Sequence, residues 1–223
     1  IVLDEAALFE KIVVRRRGGF CYELNGLFSA LLRALGFDVT LLSAGVARAD
    51  GGFGPEFDHL TLLVRSPLSV VRGQLRRKTD DGRPATWLAD VGFGDSFREP
   101  LRFDELGEQR QGERGYRIAR EGEYLTLMQC EGDGDWEAQY RFTLQPRRIA
   151  EFAGMCRYHQ TSPESSFTRK RVCTRATPTG RITLSDMRLI TMIGSERQEQ
   201  LLADEAEYRS ALWGHFGIEL TTN

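Results

Sequence analysis

Three histidines and four cysteines are all that this chain of 223 residues offers of imidazole and thiol ligands. Cys21, Cys130, Cys156 and Cys173 form no C-x-x-C pair and stand at no ligand spacing from a histidine, so a structural zinc is excluded and no metal is expected. No secretory leader pattern opens the chain, and free thiols in a reducing cytoplasm are the simplest expectation. Long hydrophobic runs are also missing. None approaches the roughly 18 residues of a membrane span, and no membrane partner is expected. Neither sign of charge is in excess: 30 Lys and Arg against 32 Asp and Glu leave a net charge of −2. A chain so balanced is not built to coat nucleic acid. The basic runs Arg15 to Arg17, Arg76 to Lys78 and Arg169 to Arg171 read as solvated faces. No internal repeat or low-complexity linker divides the chain.

What is present is an ordinary globular composition, 41% hydrophobic and 28% charged, long enough to bury a core without staples. From Asp4, the residues Ala7, Leu8, Lys11 and Ile12 keep helical spacing until the Arg-Arg-Arg-Gly-Gly break. A second helix is predicted from Cys21, with Leu24, Leu27, Phe28, Leu31, Leu32 and Leu35 as its apolar stripe and Gly36 as its C-terminal cap. The chain starts at Ile1, already inside a helical pattern, and reads as a fragment. After Gly36 the texture becomes short β-branched and aromatic runs separated by turn clusters: FDVTLLSAGVA, HLTLLV, TWLADVGF, GYRIA, EYLTLMQC and WEAQYRFTL. Successive hairpins of this kind predict an antiparallel sheet or small barrel. Ser66 to Thr86 reads as a long basic hairpin extension or loop. Pro146 is expected to open a helix through RRIAEFAGMCRYHQ, followed by three strand-like runs and a C-terminal helix. An α+β chain results, divided softly at residues 1–36, 37–145 and 146–223.

Three residues carry the chemistry. Cys21 sits at the first turn of a helix, where unpaired N–H groups and the helix dipole favour thiolate, behind Gly18 and Gly19, which leave room for a close approach to the sulfur. Its place on a helix face with Leu24 and Phe28 fits inert packing equally, and on this stretch alone packing is the commoner role. His59 opens a strand after a Gly-rich loop and can take the thiol proton. Asp90 lies within the apolar run WLADVGFG, where a carboxylate needs a partner, either a histidine N–H or an arginine. His159 and His215 fit structural or surface roles.

Taken together, RGGFCYELN, the His59 strand and LADVGFG resemble the arylamine N-acetyltransferase family, whose signature is an R-G-G-x-C-x-E-x-N block, a histidine entering a hydrophobic strand and a D-V-G-F-G strand end. Arg17, Gly18, Gly19, Cys21, Glu23 and Asn25, then His59, then Asp90 through Gly94 match it in order. The resemblance implies a cysteine-protease-like helical bundle, an antiparallel β-barrel and an α/β lid. It also implies ping-pong transfer of acetyl from acetyl-CoA to an arylamine or arylhydrazine through a Cys21 thioester, with His59 as base and Asp90 orienting it. By resemblance Phe93 and Gly94 line the acceptor pocket, with Phe20 and Val46 beside them; Pro55 and Glu56 lie near the coenzyme, and Arg17 is a structural ion-pair residue. An amide synthase taking its acyl chain from a carrier protein, and a transglutaminase-like cysteine hydrolase, are the alternatives that share this triad order.

Overall fold

The computed structural model describes residues 1–66, 85–194 and 196–220. Most of the Ser66 to Thr86 extension, residues 67–84, lies outside the described residues. The first helix, α1 (Glu5–Phe9), is capped by Asp4, whose carboxylate accepts from the Ala7 N–H at 2.9 Å, and it widens into a π-helical turn over Glu10–Val14. The Arg-Gly-Gly break follows, then α2 (Cys21–Ala34), which ends before Gly36 in the left-handed region at φ 90°.

An eight-stranded antiparallel sheet comes next: β1 (Asp38–Val46), β2 (His59–Arg65), β3 (Thr86–Ala89), β4 (Leu101–Arg102), β5 (Gln109–Gln111), β6 (Arg114–Glu121), β7 (Tyr124–Glu131) and β8 (Glu137–Arg147). Its order is β4-β3-β2-β1-β8-β7-β6-β5, which makes β1 central. β1 reads as a near-continuous apolar run because both of its faces are covered. Leu42 and Ala44 join Leu63, Leu88, Leu127, Tyr140 and Phe142 in the inner core, whereas Val39 and Leu41 join Leu60, Leu62 and Val64 under the helices. The sheet curls until its two ends meet, and glutamines bridge the seam. The Gln109 amide accepts from the Arg102 N–H at 2.7 Å and donates to the Arg102 carbonyl at 2.8 Å, while Gln111 does the same for Arg98, Glu99 and the Glu99 carbonyl. Side chains thus supply the ladder that the two edge strands lack.

Pro146 corrects the sequence reading. It lies inside β8, opposite Leu42, and the helical segment begins after it, as a 3₁₀ turn over Ile149–Phe152 and then α3 (Ala153–Thr161). A short α4 (Ser166–Arg169) leads to a second antiparallel sheet, β9 (Val172–Thr177), β10 (Gly180–Ser185), β11 (Arg188–Ile193) and β12 (Glu196–Leu201). β12 has no apolar alternation and all six of its residues are exposed, which is why the sequence pattern did not show it. The last helix, α5 (Glu205–Phe216), lays Tyr208 and Leu212 on Leu184 and Leu189 of that sheet. Its ends are set locally, by the Asp204 carboxylate accepting from the Ala206 and Glu207 N–H groups and by Gly217 at φ 66°.

Helix α2 also departs from its pattern. The residues it buries are Tyr22, Glu23, Asn25, Gly26 and Ser29, whereas Leu31 and Leu35 are exposed. The face toward β2 is chosen by hydrogen bonding and close fit rather than by apolar area. Tyr22 Oη donates to the Phe57 and Asp58 carbonyls, and the Asn25 amide donates to the Leu60 carbonyl at 2.6 Å.

Candidate active site

The site is assembled where the N-terminus of α2 meets one end of the curled sheet. His59 is the first residue of β2, and alternation puts its ring on the same inner face as Thr61 and Leu63. It is buried, with Tyr140 and Phe93 packed on it at ring-centroid distances of 5.1 Å each. Asp90 is the residue immediately after β3, not within it as the apolar run suggested. A carboxylate just past a strand end is free of the ladder, and the loop backbone can fold back onto it.

His59 Nε2 and Asp90 Oδ2 are 2.6 Å apart. The Cys21 sulfur is the second group that acts on the buried ring, through charge and hydrogen bonding alongside Asp90. Thiol, imidazole and carboxylate are therefore neighbours, contributed by a helix start, a strand start and a strand end. Burying the Asp90 carboxylate without donors would cost several kcal/mol. It receives five: His59, the Asn25 amide at 2.8 Å, the Gly92 and Phe93 N–H groups at 2.9 and 3.1 Å, and the Tyr140 hydroxyl. Burial alone would push the Asp90 carboxyl up, but the charge and hydrogen bond of His59, with Asn25 and Gly92, hold it below the usual carboxylate range. Burial likewise opposes a charged His59; the negative Asp90 and Cys21 outweigh it and push the imidazole from 6.5 up to about 10.

The two shifts set a pH window for stability. Asp90 contributes above its unfolded value, 3.8, and loses that contribution as pH falls through its lower native value. His59 contributes fully below 6.5 and loses its contribution as pH rises through about 10. Urea midpoints of the native protein and of His59→Gln should therefore differ most between pH 4 and 6.5, with the gap closing toward pH 10. A gap that widens above pH 8 would contradict the charged pair.

Three positions hold this arrangement in place: Asn25 and Gly92, which stand in the matched blocks without these roles being evident there, and Tyr140, which the sequence did not single out. Asn25 joins α2 to both other segments, since its amide nitrogen reaches Leu60 and Asp90 and its oxygen accepts from the Val91 N–H at 2.9 Å. Tyr140, from β8, bridges Asp90 and Thr61, with a 3.2 Å contact to the Thr61 hydroxyl. Neither role has a local signal. Gly92 is the third: a Cβ there would stand 2.6 Å from the Cys21 Cα, 2.9 Å from the Asn25 amide nitrogen and 3.0 Å from the Cys21 Cβ. Only hydrogen fits, so Gly92→Ala should force the loop off the nucleophile. The expected outcome is a loss of at least about 100-fold in any Cys21-dependent rate, with a destabilisation of about 1–3 kcal/mol. Unchanged alkylation kinetics at Cys21 would refute the close fit.

A Cβ on Gly19 would meet Glu23 at 2.9 Å, so the glycine makes room for the helix-capping carboxylate. Buried Glu23 accepts from the Phe20 N–H at 3.0 Å and pairs with Lys11 at 2.5 Å; Lys11, not Arg17, is the cation on it.

Of the expected pocket residues, Phe93 lies against His59, and Gly94 follows it, exposed, at φ 101°. Phe20 adjoins Cys21 and stacks on the exposed Phe167 of α4 at 4.8 Å, with buried His159 at 5.1 Å from the Phe167 ring. His159 Nδ1 meets the Ser165 hydroxyl at 3.0 Å and its Nε2 lies 3.2 Å from Asp58, which fixes α3 and α4 beside the site. Val46 stands farther back, its N–H donating to Asp58 and its carbonyl accepting from Gly54. Pro55 and Glu56 are exposed, and the partner of Glu56 is Arg147. Among the described residues no group of three or more His, Cys, Asp or Glu could hold a metal ion.

A family model described as N-acetyltransferase matches residues 1–223. The chain is 33% identical over 221 residues to an arylamine N-acetyltransferase of Mycolicibacterium smegmatis, covering 98% of this chain and 75% of that protein. It is 29% identical over 212 residues to proansamycin X synthase of Amycolatopsis mediterranei, covering 93% and 75%. Among solved structures, the arylamine N-acetyltransferase of Mycobacterium marinum in complex with CoA superposes with a TM-score of 0.82 at 29% identity, over 97% of this chain and 76% of that one.

Proposed function

The chain belongs to the arylamine N-acetyltransferase family, and from that premise we propose that it carries acetyl from acetyl-CoA to an arylamine, arylhydrazine or related amine through a thioester on Cys21. One observation carries the reading: the buried His59 imidazole is held 2.6 Å from the Asp90 carboxylate while the Cys21 sulfur acts on the same ring. In the first half-reaction the Cys21 thiolate attacks the carbonyl carbon of acetyl-CoA. The bond to the coenzyme sulfur breaks, and the proton held on His59 passes to that sulfur. In the second, a neutral aromatic amine attacks the Cys21 thioester, His59 takes the proton lost by nitrogen, and the thiolate leaves. Exchange between two sulfurs is nearly balanced, and the amide formed in the second step drives the cycle. The Cys21 and Tyr22 N–H groups, which precede the first bonds to the Phe20 carbonyl, lie at the end of α2 from which Cys21 projects and favour the negative charge that develops there. Phe93 and Phe20 would line the apolar acceptor site, with α3, α4 and the second sheet as its lid. The helix-borne thiol beside a curled sheet fits the cysteine-protease-like arrangement. Free thiols at all four cysteines fit a reducing cytoplasm.

Incubation with acetyl-CoA should add one acetyl group to the intact mass, and 4-aminobenzoate or an arylhydrazine should remove it again. Failure of the folded protein to gain acetyl would overturn the reading. The likeness to a protein named as a synthase favours a second reading, an amide synthase whose acyl chain arrives on a carrier protein. An acyl-carrier thioester loading Cys21 where acetyl-CoA does not would select it.

A further inference from the structure

We propose that Arg114 and Arg181, which share Asp95 where the eight-stranded sheet meets β9 and β10, form with the neighbouring Arg98 a subsite for an oxyanion of the substrate. The anion is a phosphate of a coenzyme-type donor or a carboxylate on an aromatic acceptor. This deepens the acetyltransferase reading and rests on it.

Asp95 follows Phe93 and Gly94 directly, so its Cα lies within about 7 Å of the Phe93 Cα, and Phe93 touches His59. Arg114 from β6 forks onto Asp95 with contacts of 2.6 and 3.1 Å. Arg181 from β10 reaches the same carboxylate through Nε at 2.9 Å and donates to the Thr174 hydroxyl through Nη1 at 3.0 Å. Arg98 spends its guanidinium on the Thr177 carbonyl, an uncharged partner. Two cations therefore share one carboxylate, and the Arg98 charge acts on Arg181 as well. The Arg181 side chain is only 12% exposed, and the charges that act on it most are Asp95, Arg114 and Arg98. Burial and the two neighbouring arginines hold it below the usual arginine range in spite of Asp95. A buried cation with too little opposing charge is destabilised until an anion arrives.

Space and donors are available for one. Gly94 is exposed at φ 101°, and a Cβ built on it would meet only the Thr174 methyl, at 3.8 Å. A guanidinium has five N–H donors in a fork that matches carboxylate and phosphate, and Arg181 uses two nitrogens on the contacts above, which leaves N–H groups for a ligand. The wall beyond Phe93 is thus cationic, whereas the wall at His59 is aromatic.

The test is isothermal titration of the full chain with two matched pairs: CoA against pantetheine, and 4-aminobenzoate against 4-aminobenzamide. For one pair, the wild type should prefer the anionic member, and Arg181→Gln should reduce that preference about tenfold. Arg181→Lys should keep most of it, and Asp95→Asn, which removes the internal competitor for the arginines, should raise it. The pair that responds names the source of the anion. Equal preferences in wild type and Arg181→Gln for both pairs would overturn the subsite and leave the cluster as a brace between the sheets. A lower preference in Asp95→Asn would do the same. Because titration needs no turnover, a charge preference that follows this pattern in a protein that gains no acetyl would refute the transferase reading alone.

Discussion

Cys21→Ser is expected to abolish acetyl gain, lowering the rate of acetylation at least about 10⁴-fold, while leaving the fold intact. The change is nearly isosteric, so Gly92 keeps its place against the Cys21 backbone and the hydroxyl occupies the sulfur's position. The chemistry does not survive it. A thiolate is formed readily beside an imidazole held by Asp90, whereas a hydroxyl gives up its proton far less readily, and the oxygen ester it would form is a poorer acyl donor to a weakly basic aromatic amine. The check is intact mass after incubation with acetyl-CoA, with a thermal melt to show that the variant is folded. Acetyl found on the serine variant, or mapped to Cys130, Cys156 or Cys173, would remove Cys21 from the mechanism. Cys156 is a poor substitute in any case, because burial pushes its thiol up to about 11.

Asp90→Asn should be nearly as damaging, for two separable reasons. An amide accepts through one oxygen and carries donors of its own, yet it would face His59, Asn25, Gly92, Phe93 and Tyr140, all placed as donors to a carboxylate. Each buried group left without a partner costs about 1–3 kcal/mol, so the urea midpoint should fall clearly. The imidazole also loses the negative charge that most favours its protonated form, and activity should drop by about 10³–10⁴-fold even where the protein stays folded. The His59 titration followed by NMR distinguishes the two effects: it should move down toward the ordinary histidine range in the variant. A variant that keeps more than about a tenth of wild-type activity would show that Asp90 does not orient the base.

The residue types needed for this chemistry were legible because their signals are local. Cys21 behind Arg-Gly-Gly, His59 at the start of an apolar run and Asp90 before Val-Gly-Phe-Gly each stand in a recognisable stretch, and their order along the chain matched a family. Gly36 marked a helix end for an equally local reason, the left-handed backbone that follows a helix. Pro146 misled because its usual effect is also local, whereas here the strand partner β1 holds it in β8 opposite Leu42. The apolar stripe of α2 misled in the same way: Leu31 and Leu35 stayed exposed while Asn25 and Ser29 went inside, since the helix is anchored by an amide to the β2 backbone.

By itself, then, the sequence determined the α+β alternation and the family, and it singled out Cys21, His59 and Asp90 as the residues to which the proposed roles are assigned. Only the tertiary structure decided what satisfies the buried carboxylate, for its donors lie 65 residues away at Asn25, 31 at His59 and on β8 at Tyr140. It also decided that two arginines from separate segments, Arg114 and Arg181, share Asp95. Capping, alternation and turn geometry act between neighbours in the chain and can be read from it. The cost of burying a charge is offset by whatever groups the fold brings within about 3 Å, and that depends on the whole path of the backbone.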